Sequence, residues 1–161
     1  MAQEGRDFAV YFYNPNIFPQ EEWLKRKEEN KKVCQTYNVA FIEENYDNHL
    51  WCEQIKGLEN EPERGMRCDV CFAMRLEKTA QYALKNGFTA ISSVLGVSRY
   101  KNLQRINQIS QEISSKYNIK FIEIEGRKNG MQEKRFALIK ELNLYSQTYC
   151  GCKFSMPTKS K

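Results

Sequence analysis

The sequence predicts an α/β fold, a parallel sheet with helices on both faces. Short aromatic and β-branched runs alternate with amphipathic helical patterns along the chain, which is typical of strands joined by helical crossovers. The 161 residues contain no repeat and no low-complexity linker, so we expect a single domain over residues 1–161. Such folds usually open on a central strand whose loop carries function. Here the first strand leads straight into a long helix, so we expect that opening strand to be missing.

The first strand is predicted at Phe8–Tyr13, where aromatic and β-branched residues end at an Asn-Pro-Asn turn. A charged helix is predicted from Pro19 to Asn38, because proline suits the first turn of a helix. We expect Trp23, Val33 and Tyr37 near its inner face. This helix would connect the first strand to the second.

The rest of the chain continues the alternation of strand and helix. A helix from Asp69 to Asn86 carries an apolar stripe, and Gly87 suits the position just past its end. The other predicted elements are a strand at Val39–Ile42, a helix at Asp47–Lys56, a strand at Thr89–Leu95, a helix at Asn102–Tyr117, a strand at Ile119–Ile124 and a helix at Gln132–Leu142.

Composition and charge limit the classes of function. The net charge of +5 is compatible with a nucleic-acid partner but does not require one. No apolar run approaches the roughly 18 residues that span a bilayer, and the N-terminus lacks the apolar stretch of a signal peptide. We therefore expect a cytoplasmic protein with no membrane partner, whose reduced cysteines serve metal or redox chemistry. An ATPase or dinucleotide-binding function has no glycine-rich motif to support it.

Two closely spaced cysteine pairs are the most informative feature. Cys68 and Cys71 form a CxxC motif at the start of a predicted helix, where Arg67 and the helix N-terminus favour thiolates. This spacing occurs in zinc sites, iron–sulfur sites and redox dithiols, and also in structural thiols, so it does not select one role.

The second pair, Cys150 and Cys152, is separated only by Gly151. A disulfide across one residue would be strained, and strained disulfides cycle readily between the oxidised and reduced forms. We therefore favour a redox role, with metal ligation as the alternative. Cys34 and Cys52 have no close partner and are expected to be ordinary buried thiols.

A basic, hydroxyl-rich loop follows the third predicted strand. In parallel sheets, ligands bind beyond the carboxyl ends of the strands, and this loop opens a helix whose N-terminus favours phosphate. A solvated turn with a capping serine is the alternative interpretation. The candidate substrate-binding residues are Ser98, Arg99, Tyr100, Lys101 and, after the fourth strand, Arg127.

Taken together, these motifs resemble the QueH-type epoxyqueuosine reductases of tRNA queuosine synthesis. The resemblance spans nearly the whole chain, and the combination of an Arg-Cys-x-x-Cys motif with a terminal Tyr-Cys-Gly-Cys motif is specific. The matching stretches are Tyr11–Ile17, Gly57–Gly65, Arg67–Cys68 with Cys71, Met74–Ala80, Val97–Ser98 with Tyr100–Asn102, and Tyr149–Ser155.

The resemblance implies a fold like that of the adenine-nucleotide α-hydrolase group and a 4Fe–4S cluster, with room for an additional iron ion. Cys68 and Cys71 would be cluster ligands, and Cys150 and Cys152 would be the redox-active pair. The implied reaction converts epoxyqueuosine to queuosine in tRNA, with electrons from an unidentified donor. We also expect the two cysteine pairs to lie close together.

The sequence departs from the family pattern at its beginning. The family usually opens with a strand ending in an adjacent Cys-Cys pair, which would supply two further cluster ligands, and this sequence has neither. Two alternatives therefore remain open. One is a zinc-binding module that interacts with RNA, in which both cysteine pairs are ligands. The other is a truncated, inactive paralogue.

Overall fold

The computed structural model describes residues 7–124 and 126–157. The chain divides into two compact units, the first formed by Met1–Leu50 with Leu138–Lys161 and the second by Trp51–Ala137. Each unit combines helices with a pair of parallel strands, which confirms the predicted α/β class. The single domain over residues 1–161 stays a prediction.

The first unit is built on the strands β1 (Ala9–Phe12) and β2 (Ala40–Glu43), with the helix α1 (Gln20–Thr36) between them. The strands pair in parallel, from Ala9 opposite Ala40 to Phe12 opposite Glu43. The aromatic residues that predicted the first strand form its core, in which Phe12, Ile17 and Trp23 pack together with Phe41 and Tyr46.

Helix α1 buries only part of the inner face that was predicted. Trp23 is buried as predicted and Val33 is half-buried, whereas Tyr37 is exposed, and Arg26 and Cys34 are the other buried residues of the helix. The helix ends at Thr36, and the chain turns at Asn38 with a left-handed φ of +50°. This turn carries Tyr37 off the inner face, while Cys34 is the buried thiol that the sequence predicted.

The second unit contains two long helices and a second pair of strands. Its strands Ala90–Ser92 and Lys120–Ile122 pair in parallel, with Ala90 opposite Lys120. In order, its elements are α2 (Asn48–Gln54, which begins in the first unit), α3 (Met66–Lys85), β3 (Ala90–Ser92), a 3-10 turn (Leu95–Val97), α4 (Leu103–Tyr117), β4 (Lys120–Ile122) and α5 (Met131–Glu141, which ends in the first unit).

Helices α3 and α4 enclose the core of the second unit. Ala80 and Ser110 have no exposed surface, and a small residue on each helix allows close packing. The Ser110 hydroxyl donates to the carbonyl of Ile106 at 2.8 Å, so its polar group is satisfied within its own helix. Ile91 of β3 and Ile113 of α4 extend the same cluster.

Two features differ from the sequence-based prediction. Among the described residues, the strands form two two-stranded sheets instead of one sheet of four, and each strand is only three or four residues long. Helix α3 begins at Met66 instead of Asp69, because Gly65 supplies an extended N-cap and the Glu61 carboxylate accepts the Met66 N–H at 3.0 Å.

None of the helices in the described residues has both the length and the apolar character that a membrane-spanning helix needs.

Candidate active site

The Cys-Gly-Cys turn belongs to the first unit. Gly151 has a φ of +124°, a left-handed conformation that a side chain would strain. Its carbonyl accepts a hydrogen bond from the Phe18 amide at 2.8 Å. Beyond the turn, the Ser155 hydroxyl donates to the Cys152 carbonyl at 2.9 Å. These contacts hold the turn against the loop that precedes α1.

The two thiols of the turn differ in exposure. Cys150 is half-buried, whereas Cys152 is 8% exposed and its Sγ lies 3.5 Å from the Ser155 hydroxyl oxygen. All six cysteines lie within the described residues, and there each is a thiol with no disulfide between them. The structure therefore shows the dithiol form, and the redox cycling of this pair stays a prediction.

A buried arginine of α1 contacts the turn. Nη1 of Arg26 donates to the Cys150 carbonyl at 2.9 Å, and Nη2 donates to the Tyr149 carbonyl at 3.1 Å. Its Nε pairs with the Glu22 carboxylate at 2.7 Å. The guanidinium thus joins helix α1 to two successive carbonyls of the turn.

Two tyrosines complete this polar cluster. The Tyr149 hydroxyl donates to the Phe18 carbonyl at 2.5 Å, and the Tyr145 hydroxyl donates to Glu22 at 3.1 Å. Burial, reinforced by the Glu22 carboxylate, raises the pKa of both tyrosines. Both phenols therefore stay protonated at neutral pH and serve as hydrogen-bond donors.

The CxxC motif lies in the first two turns of α3, in the second unit. Cys68 is half-buried and Cys71 is buried. The backbone N–H of Arg64 donates to Sγ of Cys68 at 3.2 Å. Arg64 has a φ of +75°, which is uncommon for a residue other than glycine. This strained conformation directs an amide at the sulfur, and the amide complements negative charge there.

Arg67 holds the loop that precedes the CxxC motif. It is 3% exposed, and its Nη1 donates to the carbonyls of Leu58 at 3.3 Å, Glu59 at 2.9 Å and Glu61. We expected Arg67 to favour thiolates of the motif. The structure gives it instead three backbone acceptors in the loop.

The predicted substrate loop is also held by side chains. The Arg127 guanidinium donates to the carbonyls of Gly96 at 2.6 Å, Ser98 at 2.5 Å and Lys101 at 2.8 Å. Contact of Arg127 with substrate stays a prediction, and in the structure its donors shape the loop. Arg99 and Tyr100 remain on the surface, with the Tyr100 side chain 60% exposed and the Arg99 guanidinium 5.3 Å from its ring.

The second unit brings the CxxC motif and the predicted substrate loop together. Nε of Arg64 donates to the Tyr100 carbonyl at 2.7 Å, and the Lys101 ammonium lies 5.9 Å from the ring of Phe72. The spacing of these residues along the sequence did not predict that the CxxC motif and this loop would lie close together. The predicted proximity of the two cysteine pairs stays a prediction, because the pairs belong to different units.

The chemistry of the thiols fits part of an iron–sulfur site. Cys68 and Cys71 can supply two of the four thiolates that a 4Fe–4S cluster takes, and the Arg64 amide is the kind of hydrogen bond that tunes a cluster sulfur. Throughout residues 7–124 and 126–157, no group of three or more Cys, His, Asp or Glu side chains could hold a metal ion.

Comparison with known families agrees with the motifs. A model of the family described as epoxyqueuosine reductase QueH matches residues 1–158. The chain belongs to the epoxyqueuosine reductase QueH family. The resemblance inferred from the motifs is therefore confirmed, and the curated relatives carry the name epoxyqueuosine reductase QueH.

Curated QueH proteins from distant bacteria are similar over nearly the whole chain. The QueH protein of Acinetobacter baylyi is 45% identical over 157 residues, which cover 97% of this chain and 72% of that protein. That of Histophilus somni is 43% identical, covering 98% and 65%. That of Thermotoga maritima is 39% identical, covering 94% and 80%. The chain thus spans about two thirds of the length of some QueH relatives.

Proposed function

We propose that this QueH family member reduces the epoxide of epoxyqueuosine in tRNA to the alkene of queuosine. The observation that carries the proposal is the match to the family over residues 1–158, which includes both cysteine pairs. Two further observations support it. Arg26 donates to the Cys150 carbonyl of the Cys-Gly-Cys turn, whose two cysteines are not joined by a disulfide. Arg64, whose N–H donates to Cys68 of the CxxC motif, also donates to the Tyr100 carbonyl of an exposed basic and aromatic loop.

Cys150 and Cys152 are proposed as the redox-active pair. Reduction of an epoxide to an alkene releases the oxygen as water and consumes two electrons and two protons. Closing two thiols to a disulfide releases two electrons and two protons, so one disulfide balances one turnover. A cellular reductant must then return the disulfide to the dithiol, and we propose an electron donor for this step.

Cys68 and Cys71 are proposed as ligands of a 4Fe–4S cluster. Such a cluster, when bound, would transfer electrons one at a time near the substrate. The chain's own contribution is to orient the ligands: α3 fixes the spacing of the two sulfurs, and Arg64 donates its N–H to Cys68. Arg67 fixes the loop from which that amide projects.

The loop around Tyr100 is proposed to bind tRNA. An exposed aromatic ring can stack on a base, and an adjacent arginine can neutralise a phosphate. Tyr100 and Arg99 present both groups from the surface of a loop that Arg127 holds in shape. The loop therefore offers tRNA a preformed contact next to Cys68.

The test is an anaerobic assay of the iron-loaded chain with tRNA bearing epoxyqueuosine and dithionite as the reductant. Mass spectrometry of the released nucleosides measures conversion, and iron content is measured on the same samples. We expect Cys150→Ser and Cys152→Ser to lose conversion and keep iron. Cys68→Ser should lose both, whereas the matched control Cys52→Ser should lose neither.

Other results would contradict the proposal. Conversion by Cys150→Ser at the wild-type rate would remove the redox role of the turn. Absence of conversion by the iron-loaded wild-type chain would refute the activity. A colourless protein that takes up zinc but no iron would favour the zinc-binding module instead.

A further inference from the structure

We propose that Arg26 is a positioning residue for the Cys150–Gly151–Cys152 turn, one that keeps Cys152 covered and stabilises the dithiol form. The inference rests on the proposed function, in which these two thiols are the redox pair. Arg26 is not part of any motif that identified the site. It lies on α1, more than a hundred positions before the turn in sequence.

The burial of Arg26 is the first argument. An arginine is rarely buried unless its charge and its donors are satisfied, and Arg26 is 8% exposed. Glu22 satisfies the charge. Each terminal nitrogen of Arg26 donates to a carbonyl of the turn, Nη1 to Cys150 and Nη2 to Tyr149. Displacing the turn would therefore leave a buried guanidinium without these acceptors, so the interior of the unit favours the docked turn.

The geometry of the two terminal nitrogens of Arg26 is the second argument. A guanidinium is planar, and its two terminal nitrogens point in fixed directions. Two successive carbonyls can both reach them only if the backbone holds one conformation. Here Nη1 takes the carbonyl of Cys150 and Nη2 takes that of Tyr149, at 2.9 and 3.1 Å. Arg26 therefore selects the backbone conformation from which the Cys150 side chain projects.

Gly151 is shaped to this contact. A Cβ atom at this position would lie 2.9 Å from Nη1 of Arg26 and 3.1 Å from Cγ1 of Ile17. The φ of +124° would also strain any other residue. The absence of a side chain at Gly151 thus lets the backbone of the turn lie close to the Arg26 guanidinium and to Ile17.

The docked turn makes the two thiols unequal. Cys150 is half-buried, whereas Cys152 is covered and faces Ser155. Cys150 is therefore the thiol that meets a reagent first, and Cys152 follows when the turn opens. Because the Arg26 contacts are those of the dithiol form, their loss should shift the equilibrium towards the disulfide.

The experiment removes the two coplanar donors of Arg26 while keeping its positive charge. Arg26→Lys retains a cation beside Glu22 but cannot present two coplanar donors to the carbonyls. The matched control is Lys27→Met on the same helix, since Lys27 pairs with Glu43 and not with a carbonyl of the turn. Gly151→Ala disturbs the same contact from the other side. Each variant is alkylated with iodoacetamide, and mass spectrometry follows every cysteine separately.

Cys34 serves as the internal reference. It is 4% exposed and lies on α1, so its alkylation reports loss of the unit itself. In Arg26→Lys and Gly151→Ala we expect Cys152 to react about tenfold faster, the change that follows from losing one charge-assisted hydrogen bond. Cys34 should be unchanged, and Lys27→Met should resemble the wild type. The proposal is overturned if Cys152 stays slow in both variants, or if Cys34 accelerates as much as Cys152 in both.

The redox midpoint separates positioning from mere support of the fold. In glutathione buffers of graded ratio, the disulfide-to-dithiol ratio of Arg26→Lys should rise about tenfold over that of the wild type and of Lys27→Met. An unchanged ratio, or a shift towards the dithiol, would refute the positioning role. If the wild type forms no Cys150–Cys152 disulfide at any ratio, the redox pair of the proposed function fails, and the alkylation rates still decide whether Arg26 covers Cys152.

Discussion

Replacing Arg67 with methionine tests whether a buried guanidinium holds the loop before the CxxC motif. Methionine keeps most of the apolar contact and removes every donor. In the structure, Nη1 of Arg67 serves the carbonyls of Leu58, Glu59 and Glu61. These three acceptors would lose their donor together.

The expected loss in the free energy of unfolding follows from the number of N–H groups on Nη1 of Arg67. Nη1 carries two N–H groups, and a hydrogen bond from a charged donor contributes about 1.5 kcal/mol at the low end of its range. The low end applies because water can reach loop carbonyls once they are released. Arg67→Met should therefore lower the free energy of unfolding by about 3 kcal/mol, which corresponds to a Tm lower by about 6–12 °C in a protein of this size.

Urea and thermal unfolding followed by circular dichroism measure this loss. Lys85→Met, on the exposed end of the same helix, is the matched control and should change stability by less than about 0.5 kcal/mol. Iron retained after anaerobic loading should fall in Arg67→Met, because the loop also carries the Arg64 amide that reaches Cys68. A loss below about 1 kcal/mol with unchanged iron retention would refute the reasoning.

Three further predictions concern the substrate loop and a buried thiol. Arg127→Met should cost about 2 kcal/mol, less per hydrogen bond than Arg67→Met because Arg127 is only half-buried and water can replace its donors. It should also speed thermolysin cleavage within residues 95–101, because it releases three carbonyls, whereas the surface variant Arg99→Met should do neither. In filter-binding assays, Arg99→Met should reduce the salt dependence of tRNA affinity by about one counterion, and Tyr100→Ala should weaken binding by about 1–3 kcal/mol; equal loss from both at every salt concentration would contradict these roles. Burial raises the pKa of the Cys34 thiol, so the thiol stabilises the fold below its pKa in the unfolded chain, about 8.5, and this stabilisation declines as the pH rises above that value. Urea unfolding should therefore show the stability advantage of the wild type over Cys34→Ala falling above that pH, by less than about 1 kcal/mol.

The elements of the fold were predictable because their signals are local. The aromatic run ending at the Asn-Pro-Asn turn predicted β1, and the apolar stripe between Asp69 and Asn86 predicted most of α3. The start of α3 was not predictable in the same way. It depends on the Glu61 carboxylate, which caps Met66 from five residues earlier, outside the usual capping pattern.

The chemistry of the site was predictable from residue type, whereas its support was not. Thiols are few and carry their chemistry wherever they lie, so Cys68 and Cys150 could be selected from the sequence alone. Arg64 gave no signal, because its role is performed by a backbone amide. Arg26 gave a weak one: it lies three residues after Trp23, on the same face of α1, where a charged residue is unexpected.

Three arginines share one role that the sequence could not indicate. Arg26, Arg67 and Arg127 each donate to backbone carbonyls of a segment that carries candidate chemistry. Every residue has a carbonyl, so such a contact leaves no mark on the sequence of its acceptor. It also fixes the path of a loop without restricting which side chains the loop displays.

This use of arginine changes the meaning of the net charge. The value of +5 counts all 25 lysines and arginines equally, although at least these three are engaged with backbone acceptors inside their own units. A tRNA phosphate therefore meets fewer available cations than the composition suggests, and position decides more than number. It follows that the two sets of basic residues can be separated by experiment. Changing Arg26, Arg67 or Arg127 should alter stability and thiol reactivity, whereas changing Arg99 should alter tRNA affinity and its salt dependence.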